Sequence, residues 1–462
     1  MIITMRRNLL PLALPVLVSF SGLTACNQLS AGGDPTTGAD SALEIWWSEG
    51  YYPEETEAIR QAVDDWSAEN NIEANLVFYS EKDLIQQSQS AIEAGNPPDV
   101  LYGYSIAFDV IPLLAWQGKL ADVSDVIEPI QDLYTPEALE SVNYQNNQAG
   151  NRSFYAVPLS QQTTHIHYWK PLLADAGVDD SSIPMVWDNF WQVWTQAQAG
   201  VRQKTGNDSI YAVGLPMSVA ATDTTYLFEQ FLEAYDVELL DSNGQLRLDD
   251  PGVREGIIRA LADYTNFYRS GYVPENAIDW GDPDNNVTFL SRLTLMTANA
   301  TMSIPGSQRQ DEVTYKEQMA TVLWPNKPSG EPMRYVTSTK QVVVLEDSDQ
   351  PEQAKDLIRY LTQPDVLASY IEGAQGRFFP VMPDLLERPF WTDESDPHVL
   401  VASQQFELTR PLYTVLNPAY SQVQANNVWG KAVHDIVTQN LPPEEAADTA
   451  IADIKRIFAE WN

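Results

Sequence analysis

Between residues 43 and 104 the chain alternates strand and helix patterns five times in about sixty residues, which restricts its fold more than any other feature. Residues 43–47 (Leu-Glu-Ile-Trp-Trp) form a short apolar strand ending in Ser48-Glu49-Gly50. Pro53 opens a helix that brings Ile59, Ala62, Val63 and Trp66 to one face at helical spacing. Residues 72–79 read as a second strand. Residues 84–94 read as an amphipathic helix stopped by Gly95 and followed by Pro97-Pro98, and residues 99–104 as a third strand. This βαβαβ order implies a parallel sheet covered by helices on both faces. In such sheets ligands sit beyond the carboxyl ends of the strands, so the residues after each strand are the first candidates for contact.

The same patterns continue to the end of the chain. A fourth strand at 154–159 runs into Ser160-Gln161-Gln162-Thr163-Thr164, a fifth follows at 165–169, and 171–176 makes a short helix. Further helices are predicted over 187–199, 226–235, 253–268, 351–362, 364–372, 426–439 and 443–461, with a buried-type strand at 342–345. The fold class is α/β. A hydrophobic content of 44% and 13 Trp supply material for large cores, and the length suits two domains of ordinary size.

The first residues bear on compartment. Arg6 and Arg7 precede an apolar run, residues 9–20, that falls short of the roughly 20 residues needed to span a bilayer. Leu23-Thr24-Ala25-Cys26 then resembles the bacterial lipobox, in which the cysteine becomes the first mature residue and carries lipid. The alternative is an ordinary secretory signal with an incidental thiol. Cys26 is the only cysteine, so an internal disulfide framework is ruled out. Residues 27–42, rich in Gly, Ser, Thr, Asp and Ala, read as a flexible tether. A net charge of −37 argues against a nucleic-acid partner and against docking on anionic headgroups. The acid is spread along the chain, as on a solvated, self-repelling surface.

Several stretches together resemble the extracellular solute-binding proteins of carbohydrate ABC importers, the family that contains maltose-binding protein. Gly95-Asn96-Pro97-Pro98-Asp99-Val100 is similar to that family's turn into its third strand, and residues 114–123 (Leu-Ala-Trp-Gln-Gly-Lys-Leu-Ala-Asp-Val) to the helix end and loop that follow. Residues 155–159, Tyr168-Trp169-Lys170, Ala176-Gly177-Val178 and 186–190 are similar to the crossover into the second lobe. Residues 354–361 and Pro443-Glu444-Glu445-Ala446 are similar to the return and the final helices. The resemblance implies a two-lobe periplasmic-binding-protein architecture of type II, with a hinge and an interlobe cleft. Residues 1–26 would be a lipoprotein signal peptide and 27–42 the tether. The first lobe would hold 43–158 and 339–375, and the second 159–338 and 376–462. Crossings would fall near 158–164, 335–339 and 376–382. Function would be capture of a carbohydrate and its delivery to ABC importer permease subunits. The protein would act as a monomer, held by lipid on Cys26 at the periplasmic or extracytoplasmic face of the cell membrane.

A sugar presents apolar C–H faces, which aromatic rings cover, and a rim of hydroxyls, which planar polar side chains pair. From the strand ends of the first lobe the candidates are Trp47, Glu49, Glu81 and Tyr104. In the second lobe they are Trp280 and Asp282, Trp324 before Pro325, and Trp429 at the start of a late helix. Gln162 lies at the first crossing, and Arg377 and Phe378 lie at the third. Arg377 suits either an anionic or hydroxyl-bearing ligand or an interlobe salt bridge. The helix-borne Trp66, Trp116, Trp187, Trp191 and Trp194 suit packing instead. His165 and His167, two apart on a strand, are compatible with a metal pair, but no further ligand stands at usable spacing, so no metal or other cofactor is expected. No nucleophile elbow, P-loop or zinc-protease motif is present in the sequence. The competing classes are a surface glycoside hydrolase, a protein-binding adhesin or assembly factor, and a receptor for a polyol or glycerol phosphate derivative.

Overall fold

The computed structural model describes residues 42–461; the signal peptide expected at 1–26, Cys26, and the tether up to residue 41 lie outside the described residues. The strand Leu43–Ser48 leads into the helix Pro53–Asn70, with Pro53 in the first turn, where an amide would lack a partner anyway. The helix buries Ile59, Ala62, Val63 and Trp66, as their spacing requires. After the strand Ala74–Tyr79, Ser80 Oγ accepts from the Asp83 amide at 3.3 Å to start the helix Glu81–Ala94, and Gly95, at φ 73°, ends it. Val100–Tyr102 completes the unit. Both later strands run parallel to the first, with Leu43 opposite Ala74 and Ile45 opposite Val100.

The whole sheet is mixed rather than parallel. Its seven strands run in the order Phe379–Pro380, Val157–Gln162, Tyr335–Val344, Val100–Tyr102, Leu43–Ser48, Ala74–Tyr79, with Thr409–Pro411 alongside Tyr335–Val344. Val342 lies antiparallel opposite Tyr102, and Thr339 opposite Gln161. Val157–Gln162, by which the chain leaves for the second lobe, keeps the direction of the first three strands, whereas the long returning strand Tyr335–Val344 and its short companions run opposite to them. Phe379–Pro380 joins as an edge strand, with Phe379 opposite Gln161. This pairing carries Phe378, Met382, Trp391 and Ala402 into the first core, although residues from 376 onward were expected in the second lobe.

A second sheet has four strands, Met319–Val322, His165–Trp169, Thr294–Asn299 and Tyr211–Gly214. It lies under the helices Trp187–Thr205, Thr222–Ala234, Pro251–Arg269, Val428–Gln439 and Pro443–Glu460. Each sheet has its own core. Trp47, Trp66, Tyr102 and Leu357 fill the first, and Trp187, Trp194, Phe228, Phe231, Trp324 and Trp429 fill the second. At about 1.5–3 kcal/mol for each large apolar side chain removed from water, each lobe has the means to hold itself together. Between the cores sits a small cluster of Phe108, Tyr226, Ala300, Val336 and Leu412.

Candidate functional site

A cleft of about 280 Å³ opens where the two lobes face one another, and strand ends and helix starts supply its walls. On the first-lobe side, Glu81 opens the helix after the second strand. Its carboxylate accepts from the amides of Tyr104 at 3.0 Å and Ser105 at 2.8 Å, which fixes the loop beyond the third strand. Tyr104 O–H donates to Glu55 Oε1 at 2.6 Å, and Glu55 Oε2 lies 3.5 Å from Arg377 Nη1. The Arg377 guanidinium sits among rings, with Cζ 4.4 Å from the centroid of Tyr104, 4.6 Å from Phe378 and 5.0 Å from Tyr51. Gln375 and Gly376, at φ 55° and 75°, make the turn that delivers it. A side chain on Gly376 would also meet Arg309 Nη2 at 3.0 Å. Burial, the largest influence, would lower the Arg377 pKa, but Glu55, Tyr104, Tyr52 and Glu81 together outweigh it and keep the group above its ordinary value. Of its two expected roles, Arg377 thus has an ion pair inside the first lobe while still lining the cleft.

Lys340, 1% exposed, stands where the strand register shifts between Lys340 and Gln341. Its Nζ donates to Tyr104 O and Ser338 Oγ, both at 3.2 Å, and lies 5.2 Å from the Phe108 ring. Burial pulls its pKa down to about 7, against the pull of Glu81.

The second-lobe wall is rich in hydroxyls, amides and carboxylates. Asp282 accepts from Thr222 O–H at 3.0 Å and from the Asp223 amide at 3.1 Å, a carboxylate placed at the start of the helix Thr222–Ala234. Asp223 is buried beside it; burial and then the Asp282 charge push its pKa well above the usual carboxylate range. Asn286 donates to Ser303 Oγ at 3.2 Å, and Asn299 to Thr301 O at 2.7 Å and Ser303 Oγ at 3.1 Å. Four polar atoms on lining residues, Tyr226 Oη, Asn286 Oδ1 and Arg377 Nε and Nη1, are buried with no hydrogen-bond partner among the described residues. An unpaired buried group costs about 1–3 kcal/mol, which an occupant offering the partner restores.

Of the residues singled out in the sequence, the structure gathers Glu81, Tyr104, Gln162, Asp282 and Arg377 around this cleft. The four tryptophans are core residues instead, and this corrects the expectation. Trp47 stacks on Tyr102 at 4.1 Å and donates its indole N–H to Tyr370 at 3.2 Å. Trp324 donates to Thr164 O and Trp429 to Tyr420 Oη, each at 3.0 Å, and Trp280 is buried in the second core. Trp47, Trp324 and Trp429 occur at strand ends or a helix start and Trp280 follows a 3-10 turn, but each turns its ring inward, where apolar area is covered. Glu49 is exposed and outside the lining, and Phe378 is buried beneath Arg377. The sequence reading missed Tyr51, Phe108, Asp223, Asn286, Asn299 and Lys340, which all line the cleft. Asn299 ends a strand, a signal the sequence offered, whereas Lys340 lies in the polar stretch of its strand, before the apolar residues that announced it.

His165 and His167 are buried with His398, and Thr321 Oγ1 lies 2.9 Å from His167 Nδ1 and 2.7 Å from His398 Nδ1. Among the described residues no group of three or more His, Cys, Asp or Glu is arranged to hold a metal.

Comparison with known proteins adds three findings. A family model described as bacterial extracellular solute-binding protein matches residues 61–399. A multiple sugar-binding protein of Streptococcus mutans is 22% identical over 246 residues, 50% of this chain, which spans about half (52%) of that curated relative. Among solved structures, an ABC transporter solute-binding protein of Thermotoga lettingae bound to α-D-tagatose superposes with a TM-score of 0.74 at 20% identity, covering 90% of this chain and 100% of that one. Maltose-bound MalE3 of T. maritima gives 0.71 at 20% identity over 90% and 100%. A sugar transporter protein of Arthrobacter chlorophenolicus bound to laminaribiose gives 0.71 at 15% identity over 90% and 99%. At these identities the superpositions establish the two-lobe α/β fold.

Proposed function

The chain belongs to the family of bacterial extracellular solute-binding proteins, and from that premise we propose that it captures a neutral carbohydrate between its lobes and hands it to an ABC importer. It is a binding protein of the extracytoplasmic space rather than an enzyme, as its family and relatives are. In this reading Cys26 carries the lipid, residues 27–42 form the tether, and the permease subunits of the importer receive the loaded form. Tyr104, Gln162, Asp282 and Arg377 contact the ligand, together with Tyr51, Asn286 and Lys340. The ligand bridges both walls only when the lobes are together, so it shifts the population toward closure.

The observation that carries the proposal is the make-up of the cleft. Tyr51, Tyr104, Phe108 and Tyr226 offer ring surface for C–H faces, and Asn286, Asn299, Thr301 and Ser303 offer hydroxyl partners. The charges of the cleft are largely met within the protein. Arg377 faces Glu55, which favours a neutral sugar over a glycerol phosphate derivative. A thermal-shift panel of sugars, polyols and glycerophosphodiesters tests this. A ligand at about 100 times its Kd adds about 2.7 kcal/mol to stability, so one sugar is expected to raise the melting temperature saturably. That sugar is expected to be recovered unchanged. A rise with the phosphodiesters alone, or hydrolysis of the bound sugar, would refute the reading.

A further inference from the structure

A second cavity of about 290 Å³ adjoins the cleft and shares Phe108, Thr222 and Tyr226 with it. Phe108 comes from the first lobe and Tyr226 from the second. Their rings meet edge to face at 5.3 Å and form a partition between two compartments of nearly equal size. Beyond the partition stand two acceptors. The half-buried Asp109 carboxylate has no hydrogen bond or ion pair among the described residues, and Gln424 Oε1 is buried and likewise unpaired. The partition residue Tyr226 also carries a buried, unpartnered hydroxyl. The opposite wall is held firmly: Asn427 accepts from Thr225 O–H at 2.6 Å and donates to Val219 O at 2.8 Å. Val219, 45% exposed, presents apolar surface at the edge of the cavity.

Acceptors without donors, next to an apolar side chain and two ring edges, suit a second polyhydroxylated ring. Each compartment alone is just below the usual small-ligand range of about 300–1,000 Å³, and the two together fall inside it. We propose that the site takes a saccharide of at least two rings, the second lying beyond Phe108 and Tyr226 with its hydroxyls donating to Asp109 and Gln424. This rests on the carbohydrate reading above and gives it a length. Burial, with the Glu81 charge adding to it and Lys340 opposing, pushes the Asp109 pKa up to about 7, as befits a carboxylate waiting for donors.

The test is calorimetric titration of the purified full-length protein with glucose, galactose, mannose and fructose, and with maltose, laminaribiose, cellobiose, lactose and sucrose. At least one disaccharide is expected to bind tenfold or more tighter than its component monosaccharides. Asp109→Asn, which removes the charge that accepts the sugar's hydroxyls, is expected to cut that preference about tenfold, about 1.4 kcal/mol. Gln424→Ala, which removes a half-buried side chain and leaves the cores intact, is expected to cut it by a smaller factor. Disaccharides no tighter than monosaccharides, or a preference that survives both substitutions, would overturn the second compartment and leave sugar binding standing. Binding of no sugar in either set would overturn the carbohydrate reading and this inference together.

Discussion

Trp324 gives its indole N–H to the Thr164 carbonyl at 3.0 Å and packs at 5.9 Å from Trp191 and 5.8 Å from Phe231, so the whole side chain is used inside the second lobe. Trp324→Ala is therefore expected to cost about 3–5 kcal/mol of stability, read by chemical denaturation, while the affinity of the folded fraction for its ligand changes little. A loss of affinity with unchanged stability would return Trp324 to the cleft. Position along the chain identified strand ends correctly, as Glu81 and Tyr104 attest, but it does not tell which way a side chain points. Large rings go inward because burial rewards them most. The cleft is left to tyrosines, whose hydroxyls need a wet or paired end. Glu55 shows the limit from the other side: an acidic residue in the first turn of a helix reads as a solvated cap, and only the fold brings Tyr104 and Arg377 to it.

At the level of elements, the strand His165–Trp169 carries a chain of neutral histidines. His398 Nε2 faces the Tyr315 carbonyl at 2.8 Å and must donate, so its Nδ1 accepts from Thr321 O–H, and Thr321 in turn accepts from His167 Nδ1–H. A further proton breaks this relay. Burial accordingly lowers the pKa of His398 to about 4 and of His165 to about 3. The unfolded chain takes up these protons near pH 6.5 and the folded chain does not, so stability falls as pH drops from about 6.5 toward 4. Each such histidine contributes about 1.4 kcal/mol per pH unit over that window. His398→Gln is expected to make the pH dependence of unfolding shallower by about that slope; an unchanged slope would show that His398 titrates in the folded state. Helices such as Pro351–Leu361 were legible because their buried side follows a 3.6-residue period. The strand Tyr335–Val344 was legible only at its apolar end. Its Thr337-Ser338-Thr339-Lys340-Gln341 stretch is buried between protein surfaces on both sides, and alternation carries no signal there.

Across the whole molecule, 64 Asp and Glu against 27 Lys and Arg leave a net charge of −37, which favours expansion of the compact state. Raising the salt from 0.01 M to 0.1 M shortens the Debye length from about 30 Å to about 10 Å. The exposed ion pairs it weakens are worth only about 0–1 kcal/mol each. The melting temperature is therefore expected to climb with sodium chloride over this range, and a flat or falling curve would mean the acidic surface does not strain the fold. The two-lobe plan was legible because its segments occur in order along the chain, whereas the final return was not: nothing in Phe379-Pro380 announces an edge strand of the first sheet. The separation of the cores from the polar cleft wall lets the two be altered independently. Asp223, Asp282, Asn286 and Ser303 stand on loops and helix starts outside both apolar interiors. Substitutions at such positions are expected to change what the cleft holds while the tryptophan-filled cores behind them keep the fold's stability nearly unchanged.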